Sequence, residues 1–223
     1  MILHLFYKPV RYKPLVEVER LDVSTDGIAG AAPSSPLRHV LIVPRSTLDE
    51  LKLSPGDLRE NMVVDDSGIG PLHSLPSGTV LKIGSVRIRL TVHCEPCGRL
   101  RGVVDIRAVE HRRGYLGTFL TGGALSVGDD ISSLGVQFEA IPYDLKQRLA
   151  WFLSRQPAPI EVTKLVHEVG LSLAYCRAIP NLLRGRPDLA RMVTFRGRSL
   201  RRARANDGGP VRLCVSDDIH PSR

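Results

Sequence analysis

The sequence predicts a mainly β domain, built as a β-barrel or a folded-over sheet, followed by a small α-helical domain of the winged helix-turn-helix type. Three observations lead to this fold class. The first 140 residues contain short runs rich in β-branched side chains between turn residues, apolar residues take helical spacing after Ile131, and the excess positive charge lies in the second part alone.

The predicted strands are residues 15–23, 39–44, 60–64, 79–92 and 103–109. Turns rich in Gly, Pro, Asp and Ser separate them, which is typical of a barrel or a folded sheet. One helix is predicted in this part, at S-T-L-D-E-L-K, with Ser46 or Thr47 as its N-cap.

The second part begins with a predicted helix at residues 143–156, where Leu145, Leu149 and Phe152 fall on one face. A second helix follows at 159–170 with Gly170 as its C-cap, and a third stretch from 171 is broken or kinked by Pro180. A short hairpin is expected at 190–202. This order of elements predicts domains at 1–140 and 141–204, with a flexible tail at 205–223.

Charge is divided unevenly along the chain. Residues 1–141 contain 16 Lys and Arg against 16 Asp and Glu, whereas residues 142–204 contain 13 against 4. Attraction to a polyanion is therefore expected of the second domain and not of the first.

The chain is expected to be cytoplasmic. No apolar run approaches the roughly 20 residues that a membrane span requires, and the N-terminus has no signal-peptide pattern. Four cysteines with one close pair do not form a disulfide framework, which fits a reducing compartment.

The segment T-V-H-C-E-P-C-G-R-L, residues 91–100, places two thiols in a turn after a strand. A turn of this kind can present Cys97 at the mouth of a pocket, where Arg99, Arg101 or His93 would favour the thiolate. Three alternatives stay open on the residues alone: half of a structural zinc site, a redox-active cysteine pair, or inert cysteines buried in a strand.

Five segments in order resemble the MOSC domain, the module named after the C-terminal part of molybdenum cofactor sulfurases. They are R-H-V-L-I-V-P (38–44), L-S-P-G-D-L-R-E-N-M-V-V (53–64), L-P-S-G-T-V-L-K-I-G-S-V-R-I-R-L-T (75–91), E-P-C-G-R-L (95–100) and H-R-R-G-Y-L-G-T-F-L-T-G-G-A-L-S-V-G-D-D-I (111–131).

The resemblance implies a MOSC-like β-barrel that binds molybdenum cofactor (molybdopterin) and acts through Cys97 as catalytic residue and as ligand of the metal or of sulfur. It also implies pyridoxal phosphate binding and a sulfur donor or acceptor protein as partner. The cofactor-binding residues that it implies are Glu60, Asn61, Arg99, Arg112, Arg113, Gly114 and Tyr115. Arginine forks suit a phosphate, and a thiolate suits a soft metal.

One turn departs from the family pattern. MOSC domains often follow the early G-I-x-G turn with an acid and a basic or histidine residue, whereas here Gly27-Ile28-Ala29-Gly30 is followed by Ala31, Ala32 and Pro33. A carrier or cofactor-binding role tolerates this change better than a demanding reduction does.

Residues 141–200 distantly resemble the DNA-binding domain of alkylguanine-DNA alkyltransferases, through I-P-Y-D (141–144) and Y-C-R-A-I-P (175–180). The alkyl-accepting P-C-H-R motif is replaced by L-A-R-M-V (189–193), so alkyl transfer is not expected. The residues predicted to bind nucleic acid are Tyr175, Arg177, Arg184, Arg196 and Arg198. The alternative is that these arginines keep the second domain soluble or dock it on the first domain.

Two hypotheses follow. The first is a molybdenum-cofactor-binding or sulfur-carrier protein acting through Cys97, either an oxidoreductase that reduces N-hydroxylated compounds or a sulfurtransferase. The second is a DNA-binding protein in which the β domain senses or docks.

Overall fold

The computed structural model describes residues 1–10 and 13–195, and the backbone of 198–199. The side chains of Arg196 and Arg198 and the predicted tail at 205–223 lie outside this part. The predictions made for them therefore stay predictions.

The secondary structure is mainly strands up to Gln137 and mainly helices from Leu145, whereas the sequence predicts the change after Ile131. The strands are β1 Ile2–Tyr7, β2 Val16–Val18, β3 Arg20–Ser24, β4 Gly27–Ile28, β5 Val40–Pro44, β6 Met62–Val64, β7 Thr79–Ile83, β8 Val86–His93, β9 Tyr115–Phe119, β10 Gly123–Ser126, β11 Ile131–Gln137, β12 Ile160–Glu161, β13 Val193–Phe195 and β14 Arg198–Ser199. The α-helices are α1 Arg45–Leu51, α2 Leu145–Leu153, α3 Val162–Glu168, α4 Ile179–Leu182 and α5 Pro187–Ala190.

Eight strands form one curled sheet in the order β11-β7-β8-β9-β5-β6-β1-β2. The pair β5 and β6 is parallel, and the other neighbours are antiparallel. Within the described residues no ladder joins the edge strands β2 and β11, so the sheet is an open half-barrel. A small sheet of β10, β3 and β4 packs beside it, with Leu21, Val23 and Leu125 in the same hydrophobic cluster as the large sheet.

The predicted strand at 79–92 is a hairpin of two strands, β7 and β8, and the one at 15–23 is divided into β2 and β3. Three further features of the β region differ from the sequence prediction. Residues 103–109 do not form a strand: Ile106–Val109 is a 3-10 helix, because the Asp105 side chain accepts a hydrogen bond from the Arg107 amide. The helix α1 begins at Arg45, without a side-chain cap, since the Thr47 hydroxyl is buried against His73 Nε2 at 2.9 Å. Strand structure also continues beyond Ile131, through Gln137.

The helical region, residues 141–195, has a hydrophobic cluster of its own, with buried members from Leu149 to Val193. Asp144 caps α2 by accepting from the Gln147 amide at 2.9 Å. The predicted hairpin is present as β13 and β14, and β12 pairs parallel with β13. The winged-helix assignment of this region stays a prediction.

None of the helices in the described ranges has both the length and the apolar character that crossing a membrane requires.

Candidate functional site

The sheet brings two distant loops together at one end. Strand β8 ends at His93 and β9 begins at Tyr115, and because the two strands run antiparallel, the turn after β8 meets the loop before β9. The Cys94 amide donates to the Gly114 carbonyl at 2.9 Å and extends this pairing by one step. Cys97 then lies at the N-cap of the 3-10 helix Gly98–Leu100.

Arg113 contacts Cys97 directly. Its Nη1 lies 3.3 Å from Cys97 Sγ and 2.8 Å from the Glu95 carbonyl, and Nη2 donates to the Leu58 carbonyl at 3.3 Å. The Arg113 side chain is buried, whereas Cys97 is half-buried. This contact places a fixed positive charge and a hydrogen-bond donor beside the sulfur.

The Cys97 sulfur faces a cavity of about 900 Å³ between the curled sheet and the helical region. We define its cationic side as Lys8, Arg59, Arg99 and Arg113, which come from four separate segments of the chain. The cavity is also lined by Asp26, Gly27, Ile28, Ala31, Ala32, Pro33, Ser34, Ser35, Arg38, His39, Leu41, Asn61, Glu95, Pro96, Cys97, Gly98, Leu116, His167, Gly170, Leu171, Ser172, Leu173, Ala174 and Tyr175.

The pKa of Lys8 reflects the burial and the positive charge around it in this cavity. Burial lowers the pKa of its ammonium group below the usual value, and the nearby charges of Arg59, Arg99 and Arg113 lower it further. Four cationic groups near one another make the cationic side suitable for a multiply charged anion.

The two cysteines of the C-E-P-C turn have different environments. Cys94 is 2% exposed and packs within a hydrophobic cluster, and burial raises the pKa of its thiol although Arg38 and Arg113 lie nearby. Cys97 lines the cavity instead. The inert, buried alternative therefore describes Cys94 and not Cys97.

Glu95 joins the Cys97 turn to the rest of the molecule. Its two carboxylate oxygens accept from Arg38 Nη1 and from Arg148 Nη1, each at 2.8 Å. The same arginines also reach the start of the segment after α3: Arg38 donates to the Gly170 carbonyl at 3.0 Å and Arg148 to the Val169 carbonyl at 3.4 Å. We call this arrangement the Glu95 bridge.

Two of the predicted pocket residues are occupied with other contacts. Asn61 lines the cavity, but its side chain accepts from the Leu41 amide and donates to the Phe6 carbonyl. Glu60 is fully buried and does not line the cavity; its Oε1 accepts from the Gly56 amide at 2.6 Å. Burial raises the pKa of Glu60 above the usual carboxyl value.

The loop before β9 supplies one residue to the cavity. Arg113 lines it and Arg99 lies on the same side, whereas Arg112 is exposed and forms an ion pair with Glu50. Gly114 has φ of +112°, and a Cβ there would overlap the Ile42 carbonyl, so only glycine lets this loop pass close to β5. The Tyr115 ring is buried away from the cavity, where its hydroxyl donates to the Leu75 carbonyl.

His93 does not supply positive charge to the Cys97 turn, contrary to the expectation from its position. Its ring packs at 4.3 Å from Tyr115 and at 5.9 Å from His73. Burial, with the neighbouring His73 and His111, lowers the pKa of His93 to about 4, so it is neutral near pH 7. Arg101 is exposed and does not line the cavity either.

The structure describes the side chains of three of the predicted nucleic-acid residues, Tyr175, Arg177 and Arg184. Tyr175 lines the same cavity as Cys97. Arg177 and Arg184 are exposed, and Arg184 donates to Asn181 Oδ1 at 3.0 Å.

Several cavity residues were not singled out from the sequence. Lys8, Arg38 and Arg59 lie in connecting segments, where a cation has no distinctive pattern. Arg148 does not line the cavity but belongs to the Glu95 bridge, and it had a usable signal. It stands on the same face of α2 as Leu145 and Leu149, and a charge on an apolar stripe indicates a buried partner.

Among the described residues no three or more His, Cys, Asp or Glu side chains are grouped so that they could hold a metal ion. The structural-zinc alternative for Cys94 and Cys97 thus finds no further protein ligands in this part of the chain.

One part of the chain matches a known protein family. Residues 34–132 match the family described as the MOSC domain, which supports the resemblance drawn from residues 38–131. No curated protein matches the chain.

Solved structures are similar to this chain at low identity. The YuaD protein from Bacillus subtilis has 17% identity and a TM-score of 0.50, over 62% of this chain and 98% of that one. A structure described only as that of a hypothetical protein has 16% identity and a TM-score of 0.50, over 82% and 90%. YiiM from Escherichia coli has 18% identity and a TM-score of 0.47, over 83% and 94%.

Proposed function

We propose that this chain, whose residues 34–132 match the MOSC domain, binds molybdenum cofactor in the cavity beside Cys97 and uses the Cys97 sulfur as a ligand of the metal or as a carrier of sulfur. The observation that carries the proposal is the contact of Arg113 Nη1 with Cys97 Sγ at 3.3 Å within a cavity of about 900 Å³.

The residues present fit such a cofactor. It carries a phosphate and a soft metal centre, and the cavity offers a cationic side and a thiol. Two buried donors, Arg59 Nε and Arg113 Nε, have no hydrogen-bond partner within the described residues, so capacity to bind an anion is left there.

Different residues of the chain would bind different parts of the cofactor. Lys8, Arg59 and Arg113 would hold the anionic end, and Cys97 would hold the metal. The bound group supplies a metal centre for oxidation and reduction. The Glu95 bridge fixes the turn that carries Cys97, and Arg113 places a guanidinium beside the sulfur. Reduction of an N-hydroxylated compound, or transfer of sulfur to a partner protein, are the two reactions this arrangement would serve.

The test is the cofactor content of the full chain purified from a host that makes molybdenum cofactor. We expect molybdenum and pterin to accompany the native protein and to be lost from Cys97→Ser, because the serine hydroxyl is a poor ligand for a soft metal. Cys176→Ser is the matched control, since Cys176 is half-buried in the helical region and does not line the cavity. Equal molybdenum and pterin in Cys97→Ser and native protein would show that Cys97 does not hold the cofactor.

A further inference from the structure

One wall of the cavity is apolar. It comes from the segment after α3, where Leu171, Leu173, Ala174 and Tyr175 line the cavity and no residue from 171 to 175 is charged. We call these four residues the apolar wall. The sheet side adds Ala31, Ala32 and Pro33, from the turn that departs from the family pattern.

Two residues of the apolar wall leave large hydrophobic side chains uncovered. Leu173 is 62% exposed and Tyr175 is 42% exposed. Scattered exposed hydrophobic residues are ordinary, but these two are separated by a single residue and line the same cavity. Apolar surface of this kind at a pocket is usually covered by a ligand.

The apolar wall is fixed relative to Cys97. The Leu171 amide donates to the Val166 carbonyl at 2.7 Å, and Gly170 takes a φ of +76° that ends α3. The Val169 and Gly170 carbonyls then accept from the two arginines of the Glu95 bridge. One carboxylate therefore ties both the apolar wall and the Cys97 turn to the same pair of guanidinium groups.

The cavity is large for a ligand pocket. At about 900 Å³ it lies near the upper end of the 300 to 1,000 Å³ that is usual for ligand pockets. When an anion is bound on the cationic side, the apolar wall can still contact a different, uncharged reactant.

We infer that Leu173 and Tyr175 determine which reactant reaches Cys97, and that they favour a flat, uncharged aromatic molecule, which stacks on the Tyr175 ring and packs on Leu173. This inference rests on the proposed function, because it takes Cys97 to be the reactive group of the cavity. It assigns to the helical region the choice of reactant.

Alkylation of Cys97 tests the inference without any cofactor. Iodoacetamide and N-benzyl iodoacetamide carry the same reactive group: the thiolate forms a sulfur–carbon bond, the carbon–iodine bond breaks, and iodide leaves. The full chain, purified from a host that does not make the cofactor, is treated with each reagent, and the rate at Cys97 is followed by peptide mass spectrometry. The measured quantity is the ratio of the benzyl rate to the iodoacetamide rate.

We expect Tyr175→Ala to lower this ratio by roughly five- to tenfold, because an aromatic contact and the apolar surface that it buries are lost. The iodoacetamide rate of each variant serves as its own reference, so a general change in the reactivity of Cys97 cancels in the ratio. Tyr175→Phe should keep the native ratio, and Leu173→Ser should lower it less than Tyr175→Ala does. Phe138→Ala is the matched control, since Phe138 is also 42% exposed but does not line the cavity.

An unchanged ratio in Tyr175→Ala, with the iodoacetamide rate retained, would overturn the inference and leave the proposed function standing. If iodoacetamide does not label Cys97 in the native chain, the thiol is not available in the cavity. That result would overturn both the inference and the proposed function.

Discussion

At the scale of single residues, the surroundings of each sulfur separate two cysteines that look alike in the sequence. Cys94 is 2% exposed, packs within a hydrophobic cluster and lies 3.6 Å from Arg38 Nη2, whereas Cys97 lines the cavity and lies against the Arg113 guanidinium. Each sulfur therefore has an arginine neighbour, and access to the cavity is what separates the two. The proposed reactive group of the site is Cys97 together with Arg113.

Replacing Arg113 tests that pairing. We expect Arg113→Met to slow iodoacetamide alkylation of Cys97 by roughly tenfold near neutral pH, because a hydrogen bond to a charged group contributes about 1.5 kcal/mol or more. Arg113→Lys keeps the charge but not the fork, so its rate of alkylation should lie between those of the native protein and Arg113→Met. Arg112→Met is the control, since Arg112 is exposed and pairs with Glu50. The pairing is refuted if the Arg113→Met rate equals that of the control.

The sequence could indicate Cys97 and Arg113 through family resemblance. It could not indicate which of the other cationic residues line the cavity. Arg112 and Arg113 are adjacent and identical in type, and which of them faces the cavity depends on the path of the loop before β9. Lys8 and Arg59 reach the cavity through the curl of the sheet, which brings together positions about 50 residues apart. Single-residue patterns do not encode that closeness.

At the scale of elements, the turn after β8 is held by charge as well as by the backbone. Burial disfavours the charge on Glu95, yet Arg38 and Arg148 hold the pKa of its carboxyl below the usual value. Arg148 is 1% exposed and depends on this partner. The Glu95 bridge thus fastens α2 and the end of α3 to the turn that carries Cys97.

Glu95→Gln should lower the free energy of unfolding near pH 7 by about 3 kcal/mol, because it leaves the Arg148 charge buried without its counter-ion. The folded-state pKa of Glu95 is depressed, so its stabilisation is present above the usual carboxyl pKa and is lost as pH falls through the lowered value. Urea unfolding near pH 7 and near pH 3 measures both effects. The difference between native and variant proteins should shrink at the lower pH.

Glu110→Gln is the control for this measurement, since Glu110 is exposed and lies outside the Cys97 cavity. A Glu95→Gln protein as stable as the Glu110→Gln protein near pH 7 would contradict a structural role for the bridge.

The elements themselves were predicted unevenly. Strand β5 and helices α2 and α3 follow from hydrophobic period and turn residues, whereas β7 and β8 were predicted as a single strand at 79–92. The run V-V-D-I-R-A-V has the composition of a strand, but Asp105 caps a 3-10 turn within it. The predicted strand at 15–23 is divided between two sheets as β2 and β3. Local composition does not tell where a curled sheet changes its pairing partner.

At the scale of the whole molecule, the cavity belongs to both parts of the chain. The sheet supplies the thiol and the cationic side, and the helical region supplies the apolar wall. Family resemblance to the MOSC domain reaches only the first of these, and the second requires the docking of the helical region through the Glu95 bridge. The cavity was therefore only half predictable from the sequence.

DNA binding by the helical region stays a prediction. Of the 13 Lys and Arg residues in 142–204, five lie at position 196 or later, outside the side chains that the structure describes. Within the described part, Arg186 pairs with Asp188, and Tyr175 lies at the cavity. The docking alternative for the arginines has an example in Arg148, which binds Glu95.

The most direct measurement is diffraction from crystals of the full chain, purified from a host that makes molybdenum cofactor, at the molybdenum absorption edge. We predict one anomalous peak within bonding distance of Cys97 Sγ, with density for the pterin reaching the cationic side. Molybdenum bound away from Cys97, or protein that carries the cofactor while the cavity is vacant, would contradict the account.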